Sequence, residues 1–232
     1  MAQQQLRRRQ PRRAGLQSDY INGDRANLAN HAHKAITDLI LSRQLPGGEV
    51  IIEGRLAEAL KISRTPLREA LVRLVGEGML IKQASRSFAV RKVSASEFFQ
   101  SMKAREILEA EAIAAAIGKV DPEEFAVLRQ EVRRLSTAPT QGTEHWQADD
   151  RLHQLFADAS GNAVLAKLIR QLRIATRLFE ISRPFGRVQI DAEEHLAIID
   201  AYASGDPKAA RKAVQRHLRN LQKDVLDILS GG

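Results

Sequence analysis

The sequence predicts a mainly α-helical protein. An N-terminal winged helix-turn-helix with a small β-hairpin wing is followed by an all-α helical bundle. Three observations carry that reading. The stretch Leu56-Ala57-Glu58-Ala59-Leu60-Lys61-Ile62-Ser63-Arg64-Thr65-Pro66-Leu67-Arg68-Glu69-Ala70-Leu71 has the apolar spacing of a short helix, a tight turn and a second helix. From Ser94 onward the spacing stays helical, cut only at Gly118, Ala138-Pro139, Gly161, Pro184-Phe185-Gly186 and Gly205. Aromatic residues make up only 4% of the chain, while Leu, Ala, Glu, Arg and Lys are plentiful, a balance that favours helices over strands.

Residues 1–24 are polar, Gln- and Arg-rich and aperiodic, and are expected to form a disordered basic arm. The next unit spans residues 25–92. Its helical spacing begins near Leu28, runs through Ile36, Leu39, Ile40 and Leu41, and stops at Leu45-Pro46-Gly47-Gly48. The apolar piece Val50-Ile51-Ile52 leads into a second helix over about 53–60. The third helix is expected to use Thr65 as N-cap and Pro66 as first helical residue. Its apolar stripe is Leu67, Ala70, Leu71 and Leu74, which leaves Arg64, Arg68 and Arg73 facing outward. Gly76 and Gly78 end it. Met79-Leu80-Ile81 and Phe88-Ala89-Val90 then read as two short strands around a Gln83-Ala84-Ser85-Arg86 tip. The third unit, residues 93–232, is read as six helices, over 94–117, 121–136, 143–160, 162–182, 187–204 and 206–229. Ser94, Asp121 and Asp206 are their clearest N-caps, and Pro follows the two aspartates.

Composition narrows the function. The chain has 232 residues, 44% hydrophobic and 28% charged, and no cysteine. Disulfides and thiolate metal sites are therefore excluded, and a reducing, cytoplasmic setting is expected. No apolar run approaches the ~20 residues of a membrane span. The N-terminal arginines lack the apolar segment of a secretory signal, so no membrane role is expected. Charge is unevenly placed: residues 1–92 carry a net +9 and residues 93–232 a net −1. A basic front unit on a near-neutral body points to a polyanion-binding head.

The helix-turn-helix supplies the chemistry for such a partner. Arginine can grip guanine O6 and N7 bidentately, and hydroxyls near a helix start can hold phosphates. Arg64 and Arg68 are the candidates for base edges. Ser63 and Thr65 are the candidates for phosphates, Arg55 for either, and Arg86 for contact from the wing tip. The plain alternative is that Ser63 and Thr65 only cap the helix while the arginines solubilise a face.

This region resembles the GntR family of bacterial transcription regulators. The match rests on Leu45-Pro46-Gly47, Leu56-Ala57, Ser63-Arg64-Thr65-Pro66-Leu67-Arg68-Glu69-Ala70-Leu71, Leu74 and Glu77-Gly78. The resemblance implies phosphate and base contacts from Arg55, Ser63, Arg64, Thr65 and Arg68, with the wing in the minor groove. Family wings often carry a glycine after the arginine, and here Ser87 follows Arg86.

In the body, Asp149 and His153 lie four residues apart, which puts them on one helix face. His195 and His217 sit on the last two helices. One carboxylate and three imidazoles form a mixed O/N set suited to Zn, Ni, Mn or Fe; by spacing alone, surface histidine is the competing explanation. Residues 94–229 resemble the FCD effector-binding domain of the FadR branch, through Ala104-Arg105-Glu106-Ile107-Leu108-Glu109, Asp149-Asp150-Arg151-Leu152-His153, Ser160-Gly161-Asn162, Glu194-His195-Leu196-Ala197-Ile198-Ile199-Asp200-Ala201, Gly205-Asp206, Ala209-Ala210 and His217-Leu218. Six helices resemble the shorter, VanR-type subgroup. The resemblance implies one divalent transition metal per chain, held by Asp149, His153, His195 and His217. It also implies a small carboxylate effector, for which Arg105 is the candidate partner and Asn162 a second pocket residue. For Arg105 the alternative is an i,i+4 surface pair with Glu109, and for Asn162 it is capping the next helix.

The resulting expectation is a homodimeric regulator, of repressor sign, on a palindromic double-stranded DNA operator. Two rivals come from other classes. A metal-dependent hydrolase would use the Asp/His set with Glu194 to activate water. A non-specific DNA binder would use the arginine arm and show affinity indifferent to sequence.

Overall fold

A computed structural model of the chain describes residues 16–84, 87–137, 142–182 and 186–231, with side chains from residue 26 onward. The head contains α1 (Leu16–Leu41), β1 (Val50–Ile51), α2 (Glu53–Ala59), α3 (Arg64–Glu77), β2 (Leu80–Lys82) and β3 (Phe88–Val90). The first helix starts at Leu16, inside the arm expected to be disordered. Between Leu16 and Leu41 there is no proline and only one glycine, so nothing in the sequence forces a later start. Ile36 and Ile40 of α1 bury against the stripe Leu67, Leu71 and Leu74 of α3, all fully enclosed.

Helix α3 begins two residues earlier than the sequence suggests. Ser63, not Thr65, is the N-cap, and Pro66 falls within the first turn. The shift costs nothing, because the first four helical N–H groups have no intrahelical acceptor and a proline there removes an unused donor. Gly78 ends α3 with φ 88°, and its N–H returns to the carbonyls of Leu74 and Val75. A Cβ at this position would also sit 3.3 Å from the Arg91 guanidinium, so both backbone and space call for glycine.

Among the described residues the sheet holds three strands, in the order β1-β3-β2, all antiparallel. The sequence suggests only the β2–β3 hairpin. Val50–Ile51 is too short to show an alternation of its own, but it finds partners in Ala89 and Phe88.

Among the described residues, six helices form the body: α4 (Ala95–Ala116), α5 (Pro122–Ser136), α6 (Thr143–Ala159), α7 (Ala163–Ile181), α8 (Val188–Ala203) and α9 (Pro207–Leu229). Ser94, Asp121, Asn162 and Asp206 each accept a backbone N–H at a helix start. Helix α4 packs against α6, α7 and α9, which makes it the axis of the bundle. Head and body share an apolar core. At their junction Phe98 stacks on Phe179 with centroids 4.6 Å apart and meets Phe99 edge-on at 5.3 Å. Arg91 spans the same junction, donating to the Gly78 carbonyl at 3.3 Å and pairing with Glu97 in the first turn of α4.

Candidate functional site

Two sites emerge. The first is the outer face of α3. Arg55, Ser63, Arg64, Thr65 and Arg68 are all exposed. Arg64, Thr65 and Arg68 line one shallow concavity together with Glu53, Glu69 and Val72. The Ser63 hydroxyl makes no capping hydrogen bond, which leaves it available to an incoming acceptor. Arg86, the wing candidate, lies outside the described residues.

The second site lies among α4, α6, α7, α8 and α9. Asp149, His153, His195 and His217 each bring one ligand atom to a common point, the four lying within 4.8 Å of one another. The three imidazoles are buried, with ring centroids 4.7 to 5.5 Å apart. Surface histidine, the competing explanation, does not describe them.

Outer partners orient these groups. His153 Nδ1 lies 2.5 Å from Glu109 Oε2, and His217 Nδ1 lies 2.8 Å from Glu194 Oε2. Protons on those two Nδ1 atoms leave each Nε2 as a lone-pair donor, the arrangement that carboxylates impose on metal-binding histidines. Asp149 is divided between two tasks. Its Oδ2 accepts from Arg173 at 2.7 Å and from Arg177, while Oδ1 faces His195 Nε2 at 3.2 Å and His153 Nε2 at 3.6 Å.

Electrostatics match this geometry. Burial pushes the His153 imidazole down to about 3, against the pull of Glu109, and lowers His217 as well. Both are therefore neutral, as a ligand must be. Burial alone would raise Asp149 and Glu109. Arg173 and Arg177 outweigh it at Asp149, and Arg105 and His153 at Glu109, holding both well below the usual carboxylate range. Glu180 goes the other way: burial pushes it up to about 7 despite Arg177.

The donor set fits a divalent transition ion. His153 Nε2 and His195 Nε2 are buried without a hydrogen-bond partner. Such orphans are costly, and an ion at the convergence point would satisfy both. The adjoining cavity, about 50 Å³, is lined by Arg105, His145, Trp146, Arg177, Glu180 and Arg187 among others. Arg177 also lies over the Trp146 ring, 4.2 Å from its centroid.

The remaining predicted residues divide. Arg105 is a lining residue of this cavity, and it also pairs with Glu109 at 2.6 Å. That pair is buried, not on the surface. Its Nη1 donates to Thr176 Oγ1 at 2.9 Å. Asn162 is a correction. It is exposed, caps α7 by accepting from the Leu165 N–H at 3.0 Å, and does not line the cavity. His145 accepts from the Gly142 N–H at the start of α6 and contributes no atom to the Asp149 cluster.

Sequence reading missed Arg173, Arg177, Glu180 and Arg187; it named Glu109 only as a partner of Arg105 and Glu194 only as an aid to water activation, not as the groups that orient His153 and His217. A signal existed on α7: Arg173, Arg177 and Glu180 recur at i, i+4 and i+7 on a helix otherwise rich in Leu, Ile and Ala.

Two family models cover the chain. The gntR family of bacterial regulatory proteins matches residues 28–90, and the FCD domain matches residues 100–220. The chain belongs to the GntR family and carries an FCD domain. Among similar proteins, the Nta operon transcriptional regulator of Aminobacter aminovorans is 31% identical over 189 residues, covering 79% of this chain and 88% of its own. The structure of E. coli McbR/YncC superposes with a TM-score of 0.70 at 22% identity, over 87% of this chain and 98% of that one. A metal-free FCD domain of the regulator TM0439 does so with a TM-score of 0.52 at 22% identity, over 61% of this chain and 99% of that one. This GntR/FCD protein is a DNA-binding transcriptional regulator, not an enzyme. Among its described residues no helix is long and apolar enough to cross a membrane.

Proposed function

We propose that this regulator is a cytoplasmic homodimeric repressor whose grip on a palindromic operator is set by a small carboxylate bound beside a metal ion. The observation that carries the proposal is the convergence of Asp149, His153, His195 and His217, with the outer nitrogens of His153 and His217 fixed by Glu109 and Glu194. Those four residues hold one divalent transition ion per chain. When bound, the ion supplies a Lewis-acidic docking point for an anionic oxygen. An ion held there would serve as a dock for the carboxylate and not as a hydrolytic centre.

Arg105, Arg177 and Arg187 line the adjoining cavity and offer planar cationic forks for a carboxylate. Its volume of about 50 Å³ holds only a few water-sized groups, which favours a short acid over a long one. On the DNA side, Ser63 and Thr65 hold phosphates, Arg64 and Arg68 read base edges, and Arg55 does either. Dimerisation is supported by apolar side chains left exposed on two packed helices, Ile107 of α4 with Val164 and Leu168 of α7. A twofold body then presents two heads to two half-sites.

Elemental analysis of gently purified protein tests the metal. About one transition ion per chain is expected from one four-ligand site, and an Asp149→Ala/His217→Ala variant should lose it. No ion in the native chain, or undiminished ion in that variant, overturns the metal reading. A thermal-shift screen of short organic acids, with and without added metal, tests the effector. A true effector raises the melting temperature by mass action, and does so only when metal is present.

A further inference from the structure

The contact between α2 and α3 contains an ion pair that the DNA-reading role does not by itself explain. Glu53, the first residue of α2, takes Arg68 of α3 side-on. Arg68 Nε donates to Oε2 at 2.6 Å and Nη2 donates to Oε1 at 3.2 Å. Glu53 is mostly shielded while the Arg68 side chain is 61% exposed. Solvent-exposed ion pairs contribute little to stability, so holding the helices together is a poor account of this one. Orientation is a better account. A guanidinium has two usable edges: the Nε/Nη2 side edge and the Nη1/Nη2 end edge. Glu53 occupies the side edge with a bidentate bond. The end edge keeps Nη1 and the second N–H of Nη2, neither of which Glu53 uses, and those two N–H groups can donate in parallel to guanine O6 and N7.

We propose that Glu53 is a positioning residue for sequence readout: it clamps the side edge of the Arg68 guanidinium so that the end edge is presented to a guanine. The assignment rests on the reading of Arg68 as a base-contacting residue. A free arginine carries several rotatable bonds and must lose that freedom when it docks. Glu53 imposes part of that order before DNA arrives. The carboxylate also lines the same concavity as Arg64 and Thr65, so its charge weakens general attraction to DNA while sharpening the choice among sequences. Negative charge on the reading face has a use only if it brings selectivity.

The bland role for Glu53 is that of an acid in the first turn of α2, where the helix dipole favours one. Three variants of the full-length protein separate the two roles. Duplexes selected from a random pool by the wild type supply the operator, and guanine→7-deazaguanine replacement, which removes N7, locates the guanine that Arg68 reads. In Glu53→Ala the penalty for 7-deazaguanine at that position should fall about tenfold, within the range that one bidentate base contact controls. Affinity for an unrelated duplex should hold or rise. Glu53→Asp keeps the charge at the helix start but is too short to reach Arg68, and should behave like Glu53→Ala. In an Arg68→Ala background, Glu53→Ala should change discrimination no further.

Equal losses with and without Arg68 would reduce Glu53 to a structural acid and overturn the assignment. So would full discrimination in Glu53→Ala or Glu53→Asp. A wild type that shows no guanine preference overturns the base-readout reading and this assignment with it, whereas a wild-type preference untouched by Glu53→Ala overturns the assignment alone.

Discussion

At the scale of single residues, the buried body site is a set of opposed titrations, and its pH response follows from their signs. Burial lowers His153 to about 3 and lowers His217 from the ordinary 6.5. Below pH 6.5 the unfolded chain therefore holds protons that the folded chain refuses, and stability drops as pH falls. Glu180 has the opposite sign. Raised from 4.5 to about 7, it binds a proton in the folded state first, and it adds stability as pH falls from 7 toward 4.5. Two histidines against one glutamate give the metal-stripped protein a shallow decline between pH 6.5 and 4.5. Below 4.5 the glutamate no longer compensates, while Glu109 and Asp149, both held low by arginines, begin to lose their charge advantage. The decline should then steepen. Glu180→Gln removes the compensating group and should steepen the 6.5-to-4.5 segment as well. Urea midpoints measured across this range in the presence of chelator check both slopes, and an unchanged profile in Glu180→Gln would refute the Glu180 assignment.

At the scale of elements, the sequence was informative where chain breakers act and silent where pairing acts. Each body helix ends within a residue or two of its expected boundary, because Asp121, Gly161, Gly205 and Asp206 impose local backbone chemistry that needs no tertiary partner. Strand β1 went unread because two residues carry no period, and only β3 makes them a strand. The four candidate ligands were legible through the resemblance to the FCD domain; spacing by itself links only Asp149 and His153, which share a helix face. Their supporting shell was not. Glu109 reaches His153 from 44 positions away, and Arg173 reaches Asp149 from 24. No local spacing encodes such pairs. Element packing makes its own prediction at Phe98, which is fully buried between Phe99 and Phe179. Phe98→Ala should cost about 3–5 kcal/mol, the range for truncating a core aromatic. Denaturant titration measures it, and a loss below about 1 kcal/mol would show that the junction can collapse around the gap.

At the scale of the whole molecule, charge and apolar surface are segregated. The strongly basic front part, residues 1–92, suits one class of partner, and the near-neutral rear leaves Ile107, Val164 and Leu168 uncovered on neighbouring helices. If those residues meet their copies across a twofold axis, Leu168→Glu sets like charges against each other in a desolvated interface. That substitution should yield a folded monomer in light scattering and weaken binding to a two-half-site operator far more than to a single half-site. A Leu168→Glu protein that remains a dimer would place the interface elsewhere.

The Arg91 bridge has one mechanical consequence. From Glu97 to Glu109, α4 runs without a proline, a glycine or a break, a rod of about 18 Å at the helical rise of ~1.5 Å per residue. One tip is tethered through Arg91 to the final turn of α3, and the other touches His153. A stiff strut cannot absorb a tilt along its length. If the proposed occupant of the rear chamber shifts the α4 backbone at Glu109, that shift would reach the Arg91 end as a swing of the front module, with an amplitude set by leverage.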